Sequence, residues 1–130
     1  MIEEYLRQID ELLSVSPAVR DVEISRRTLR NTEWEQILHY RYRVLLSDGG
    51  LVEMSERLVE MRGMVTTTKY RHHWQDGQGH LLKRRDNAPH HPRVETFPNH
   101  LHDGAEEQVV SHSAVTGLEV LQQILAAVEL

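Results

Sequence analysis

Between residues 19 and 86 the chain is a succession of β-strand patterns joined by very short turns. Two turns are Ser47-Asp48-Gly49-Gly50 and Asp76-Gly77-Gln78-Gly79, which are rich in residues that tolerate positive φ angles. Connections this short join antiparallel neighbours, because a parallel crossover needs about a dozen residues or more. The sequence therefore predicts a five-stranded antiparallel meander. Its strands are predicted over 19–30, 35–47, 51–61, 64–75 and 80–86.

Amphipathic helices are predicted at both ends of the chain. Residues 2–13 place apolar side chains at helical spacing, and Pro17 ends that pattern. Thr116 and Glu119 have the spacing of a capping box, which predicts a helix from there to about Val128. The expected fold is α+β, with both helices packed on the apolar face of the sheet and the other face open. The length of 130 residues suits one domain, residues 1–130.

Composition narrows the class of protein. The chain has no cysteine, which excludes disulfides and thiolate metal sites and fits a reducing cytoplasm, the expected location. The N-terminal segment MIEEYLRQIDELL is acidic and amphipathic, so it is not expected to be a signal peptide. No apolar run is long enough to predict a membrane span.

One segment concentrates the unusual residues. Residues 69–102 contain seven of the nine histidines and three of the four prolines. Residues 62–102 carry seven Lys or Arg against three Asp or Glu, a net charge of +4, which leaves −9 on the rest of a chain whose total is −5. A basic, histidine-rich patch on an acidic body predicts a site for an anionic ligand, and a mixed solvated surface is the alternative.

Strand periodicity groups these residues further. In the strand over 64–75, Lys69, Arg71 and His73 share one face. With a four-residue turn over 76–79, Arg71 is expected opposite Arg84, and Lys69 opposite Asp86. His73 is then expected opposite Leu82 and Gln75 opposite His80. If Arg41 and Arg43 point outward, they extend the same face.

Such a face suits phosphate chemistry. Arginine binds phosphate through two parallel hydrogen bonds, and lysine adds a point charge. The predicted phosphate-binding residues are Lys69, Arg71, Arg84, Arg41 and Arg43. Histidine transfers protons near neutral pH, so RNA cleavage could use His73 with one loop histidine and Asp86 to orient one of the pair. The candidate loop histidines are His90, His91, His100 and His102. The alternative is that His73 is a surface histidine and that Asp86 pairs with Lys69.

A metal site is a further hypothesis for the loop. In an extended segment His100 and His102 point to the same side and form a chelating pair for zinc, nickel or copper, with His90 or His91 as a third ligand. No HExxH or carboxylate-rich motif supports a metal site here, so no cofactor is certain and a divalent metal is an open alternative. These histidines could instead fix the loop by bonding backbone carbonyls.

Several short motifs follow one another along the chain. They are Tyr40-Arg41-Tyr42-Arg43, Ser47-Asp48-Gly49, Lys69-Tyr70 with His73-Trp74-Gln75, Asp86-Asn87-Ala88-Pro89-His90-His91-Pro92, and Phe97-Pro98 with His100 and His102. With these motifs, most of the chain resembles the TumE family of toxins from prokaryotic toxin–antitoxin systems. Three positions depart from the family pattern: His72 and Arg85 stand where aromatic residues are common, and Asn99 stands where a histidine is common.

The resemblance implies a cytoplasmic toxin encoded beside a DNA-binding antitoxin. Many small toxins are ribonucleases, and the basic histidine face agrees with that activity by analogy. The expected partners are a cognate antitoxin, RNA and, as an open alternative, a second copy of the chain. The rival hypothesis is a non-catalytic module that binds nucleic acid or protein, with a structural or metal-binding histidine loop.

Overall fold

The computed structural model describes residues 1–129, and within them seven antiparallel strands form one sheet in sequence order. Two helices flank the sheet in the sequence, α1 (Ile2–Val15) and α2 (Gly117–Glu129). The strands are β1 (Val19–Asn31), β2 (Glu35–Leu46), β3 (Leu51–Met61), β4 (Met64–Gln75), β5 (Leu81–Asp86), β6 (His100–Asp103) and β7 (Val109–Ser111).

The α+β class, the antiparallel sheet and the first five strands are confirmed, but the predicted total of five strands is wrong. The additional strands are β6, in a segment expected to be loop, and β7, which follows it along the chain. β6 has only four residues and follows a proline-rich segment, so it shows too few alternations to reveal a period. Its pairing with β5 defines it as a strand.

The pairing predicted between β4 and β5 is also wrong, by two residues. Arg71 lies opposite Asp86, and His73 lies opposite Arg84. Asp76 N–H donates to the His80 carbonyl, so the turn is one residue longer than expected, and an irregularity beside Trp74 and Gln75 adds a second residue. Because a shift of two residues keeps every side chain on its face, the predicted grouping of charged residues survives.

Both helices pack on one face of the sheet, as predicted. Alternate side chains of β2 and β3 point into this core and meet the apolar sides of α1 and α2. No helix within residues 1–129 has the length and apolar character needed to cross a membrane. The buried core includes Ile2, Leu6, Ile9 and Leu13 of α1, Leu38, Tyr40, Tyr42 and Val44 of β2, Val52, Met54 and Leu58 of β3, and Val120, Leu121, Ile124 and Leu125 of α2.

Polar groups also tie the helices to this face. The carboxylate of Glu56, which is 1 % exposed, accepts hydrogen bonds from the hydroxyls of Tyr5 and Tyr40. Burial raises the pKa of Glu56, and the two tyrosine hydrogen bonds oppose that shift. The start of α2 is closed by the predicted capping box: Glu119 N–H donates to the Thr116 hydroxyl at 3.1 Å, and Thr116 N–H donates to the Glu119 carboxylate at 3.4 Å. Within residues 1–129, no helix lies on the opposite face of the sheet.

Candidate functional site

A cation-lined depression occupies the open face of β1 to β4, and we call it the basic trough. It encloses a cavity of about 700 Å³. The pKa of His39, which lies in this cavity, is lowered by burial and then by the positive charges of Arg26, Arg57 and Lys69. Glu53 offsets part of this positive charge, because its Oε2 lies 3.5 Å from Arg41 Nη2. The five cations that line the trough are Arg26, Arg41, Arg57, Lys69 and Arg71.

The predicted phosphate-binding residues all lie on this open face. Lys69 and Arg71 line the trough and also line a second cavity of about 440 Å³, so the two cavities adjoin each other. Arg84 lines the second cavity, while Arg41 and Arg43 lie farther along the sheet towards β1. Burial, and then Arg84, lowers the pKa of Arg71. The structure therefore places Lys69, Arg71 and Arg84 around one cavity and leaves Arg43 apart from it.

Three histidines, His91, His100 and His102, converge in the second cavity, and we call them the histidine cluster. One ring nitrogen from each lies within 4.8 Å of those of the other two. Strand β6 contributes His100 and His102, whose side chains share the open face because they are two residues apart. The segment between β5 and β6 folds back and brings His91 beside them, with ring centroids 4.8 Å from His100 and 5.4 Å from His102.

The two strand histidines are held by the backbone. His100 Nδ1 lies 2.9 Å from the Pro98 carbonyl oxygen, and His102 Nδ1 lies 2.7 Å from the Glu106 carbonyl oxygen. A carbonyl oxygen only accepts hydrogen bonds, so both Nδ1 atoms carry the proton and donate it. This fixes the orientation of each ring and directs both Nε2 atoms towards Asp86.

Asp86 closes the site from β5 and is 6 % exposed. Its Oδ1 lies 3.0 Å from His100 Nε2, and its Oδ2 lies 3.8 Å from His102 Nε2 and 3.4 Å from Arg84 Nε. Ala88 N–H also donates to Oδ1 at 3.0 Å, which is the turn contact typical of an aspartate at a strand end. The Asp86 carboxylate therefore contacts two imidazoles and one guanidinium in a site sheltered from solvent.

The loop histidine His91 has the more open position. It is half-buried, whereas His100 and His102 are buried. Burial, and then the neighbouring His100 and His102, lowers the pKa of His91. His90 lines the same cavity but is exposed and lies outside the cluster. The structure thus places His91, rather than His90, beside His100 and His102.

His73 lies apart from the cluster. Its Nε2 is 2.8 Å from the side-chain oxygen of Gln75, and in the sheet register Arg84 stands between His73 and His102. Sequence reasoning missed Glu106, in the turn between β6 and β7. Glu106 forms an ion pair with Arg84, which lowers the pKa of Glu106, and its carbonyl anchors His102. An acid in a surface turn gives no sequence pattern that would mark it.

A protein-family model described as "Toxin TumE" matches residues 8–130, a range that includes the basic trough, Asp86 and the histidine cluster. No curated protein and no solved structure matches the chain significantly.

Proposed function

Since the chain belongs to the TumE family and is a toxin of a toxin–antitoxin system, we propose that it cleaves RNA on the open face of its sheet. The basic trough holds the phosphate backbone, and the histidine cluster with Asp86 carries out proton transfer. The observation that carries this function is that the two cavities adjoin each other and share Lys69 and Arg71.

The arrangement of charges supports a polyanion as ligand. Cations of the trough are distributed over four neighbouring strands, so their charges are spread along a path rather than gathered at one point. A chain of phosphates fits such a path, and binding would release counterions from the RNA. At the end of the path, Arg71 and Arg84 are positioned to hold the phosphate that reacts and to stabilise the charge that develops on it.

The histidine cluster supports cleavage by acid–base chemistry. An imidazole nitrogen of His91 accepts the proton of the ribose 2′-hydroxyl, and the 2′-oxygen attacks phosphorus. His102, in the form that carries a proton on both ring nitrogens, donates its Nε2 proton to the departing 5′-oxygen, which leaves a 2′,3′-cyclic phosphate and a 5′-hydroxyl. His100, in 3.0 Å contact with Asp86, keeps that carboxylate in place beside His102. We assign proton transfer to His91 and His102 in preference to His73 because they face the same cavity.

Incubation of the full chain with RNA in the presence of EDTA tests this function. We expect cleavage without added metal, cyclic-phosphate ends on the products, and no cleavage at a 2′-deoxy position. His91→Gln and His102→Gln should each lower the rate by about 100-fold or more. His80→Gln is the matched control, because His80 lies in the exposed turn between β4 and β5. RNA binding without cleavage under any condition would favour the non-catalytic module instead.

The same face suits the expected antitoxin. Because the trough is cationic and open, an acidic antitoxin segment that covers it would exclude RNA. Co-expression with the neighbouring open reading frame of the native operon tests this interaction. Recovery of a complex whose affinity falls in Arg57→Ala supports it, and recovery of the toxin alone argues against it. The cytoplasm, where RNA is available, is the proposed site of action.

A further inference from the structure

We infer that the histidine cluster binds one divalent transition-metal ion, such as Zn²⁺, and that the bound ion inhibits RNA cleavage. The ligands are His100 Nε2, His102 Nε2 and one ring nitrogen of His91, with Asp86 as the adjacent carboxylate. Only the inhibition rests on the proposed function, because metal binding requires no RNA.

The first support is the convergence of ligand atoms. Three imidazole nitrogens within 4.8 Å of one another can surround a single ion. Nitrogens around tetrahedral zinc, at Zn–N distances of about 2.0–2.1 Å, lie about 3.3 Å apart. The difference to be closed is at most about 1.5 Å. His91, which is half-buried on the β5–β6 connection, is held less firmly than the two buried strand histidines.

The second support is the way the strand histidines are held. Histidine ligands of metals commonly donate their second ring N–H to a backbone carbonyl or carboxylate, which fixes the tautomer and the ring orientation. His100 and His102 both do so, through the carbonyls of Pro98 and Glu106. Edge-to-face packing of the rings alone would not require both Nδ1 atoms to be anchored in this way.

The third support is the carboxylate that the two Nε2 atoms face. With Nδ1 protonated, a neutral His100 presents an Nε2 lone pair to Asp86 Oδ1 at 3.0 Å, so two acceptors confront each other. Either a proton or a metal ion relieves this contact. A divalent ion does so for His100 and His102 together, and the Asp86 charge offsets part of the ion's charge in a buried site.

Inhibition is expected because the ring nitrogens that would bind the metal ion are also those that we assign to proton transfer. A lone pair that coordinates a metal ion cannot accept a proton, and a ring whose Nε2 is coordinated has no Nε2 proton to donate. The metal-free and metal-bound proteins therefore differ at the same nitrogens that we assign to proton transfer.

Titration of the metal-free full chain with Co²⁺ tests the site without reference to activity. We expect one ion per chain, the visible absorption of a tetrahedral cobalt site, and displacement by Zn²⁺. His100→Gln or His102→Gln should weaken binding by about 100-fold, and Asp86→Asn by about 10-fold or more. His80→Gln and His90→Gln are matched controls and should stay within about twofold. Thermal unfolding in EDTA verifies that each variant folds.

Equally tight cobalt binding by the natural chain and by His102→Gln would overturn the metal site, and so would the absence of cobalt binding by the natural chain.

The RNA assay then tests inhibition separately. Zn²⁺ that stops cleavage with the affinity measured by titration supports it, and unchanged or stimulated cleavage at saturating Zn²⁺ overturns it. Stimulation would also overturn metal-free proton transfer while the metal site stands. Absence of cleavage with an intact cobalt site would reject only the proposed function.

Discussion

His72 and His100 are equally buried, on opposite faces of the same sheet, and their surroundings differ completely. His72 is fully buried on the helix-covered face, stacks on Tyr70, and has no hydrogen-bond partner for either ring nitrogen among residues 1–129. His100 is 2 % exposed on the open face, and both its nitrogens face oxygen atoms. Burial alone therefore does not distinguish a core histidine from a histidine of the proposed site, whereas the polar partners of the ring do.

The ionisable groups on the two faces of the sheet also differ in what they contact. Burial, and then the charge of Arg85, lowers the pKa of His72 to about 3, so this ring is a neutral part of the core. Glu56, on the same face, uses its carboxylate to hold Tyr5 and Tyr40. On the open face, Asp86 instead contacts His100, His102 and Arg84. Polar groups join structural elements on one face and converge on a cavity on the other.

The largest expected effect is on RNA cleavage. His100→Gln should lower the rate by up to about 100-fold, because Asp86 loses the imidazole that orients it. His72→Phe, which keeps an aromatic ring in the core, should leave the rate within about twofold. The measurement is the RNA-cleavage rate of each variant, made on protein whose circular-dichroism spectrum matches that of the natural chain. Comparable losses in both variants would show that the two faces are not functionally separate.

Stability should respond to changes beneath the helices. A methyl group at position 117 would collide with the Glu56 carboxylate and the Tyr40 hydroxyl. Gly117→Ala should therefore lower the free energy of unfolding by about 1–3 kcal/mol, as overpacked sites do. Gln122→Ala on the exposed side of α2 is the control, expected within about 0.5 kcal/mol. Urea denaturation measures both, and equal effects would contradict close packing at position 117.

His72 should also make stability depend on pH. Its folded pKa of about 3 lies below the unfolded value of about 6.5, so the unfolded chain binds a proton that the folded chain does not. The stabilisation is complete above pH 6.5 and is lost as the pH falls towards 3, at about 1.4 kcal/mol per pH unit.

Urea denaturation at pH 7, 6 and 5 should show this slope as the difference between the natural chain and His72→Phe. The subtraction removes the contribution of carboxylates that both proteins share. Parallel pH profiles for the two proteins would mean that His72 is protonated, or exposed, in the folded state.

The smallest effect should be on RNA affinity. Arg57→Ala in the basic trough should weaken binding by about 2- to 10-fold and lower the slope of log affinity against log salt by about 0.7, the value for one phosphate contact on a single strand. Arg7→Ala on α1 is the control, because Arg7 lies on the helix side and pairs with Glu4. Fluorescence anisotropy at several salt concentrations measures both. Equal losses of RNA affinity in the two variants would mean that RNA does not bind in the basic trough.

Much of the fold is encoded in local patterns. Three local patterns predict elements that the structure contains, since each pattern depends on neighbours in the sequence. They are the alternation along β2, the turn residues Ser47-Asp48-Gly49-Gly50 and the Thr116–Glu119 capping box. The same two-residue period places Lys69, Arg71 and His73 on one face, and that grouping holds even though the pairing is shifted by two residues.

The tertiary structure decided the rest, because it depends on contacts between distant residues. The segment from Asn87 to Asn99 has no period of its own, so only its closure onto β5 selects His91 over His90 and makes β6 a strand. Pairing of β5 with β6 brings Asp86 to His100. The sequence by itself determined which residue types are available on the open face. The path of the chain between β5 and β6 determined which of their nitrogen and oxygen atoms meet.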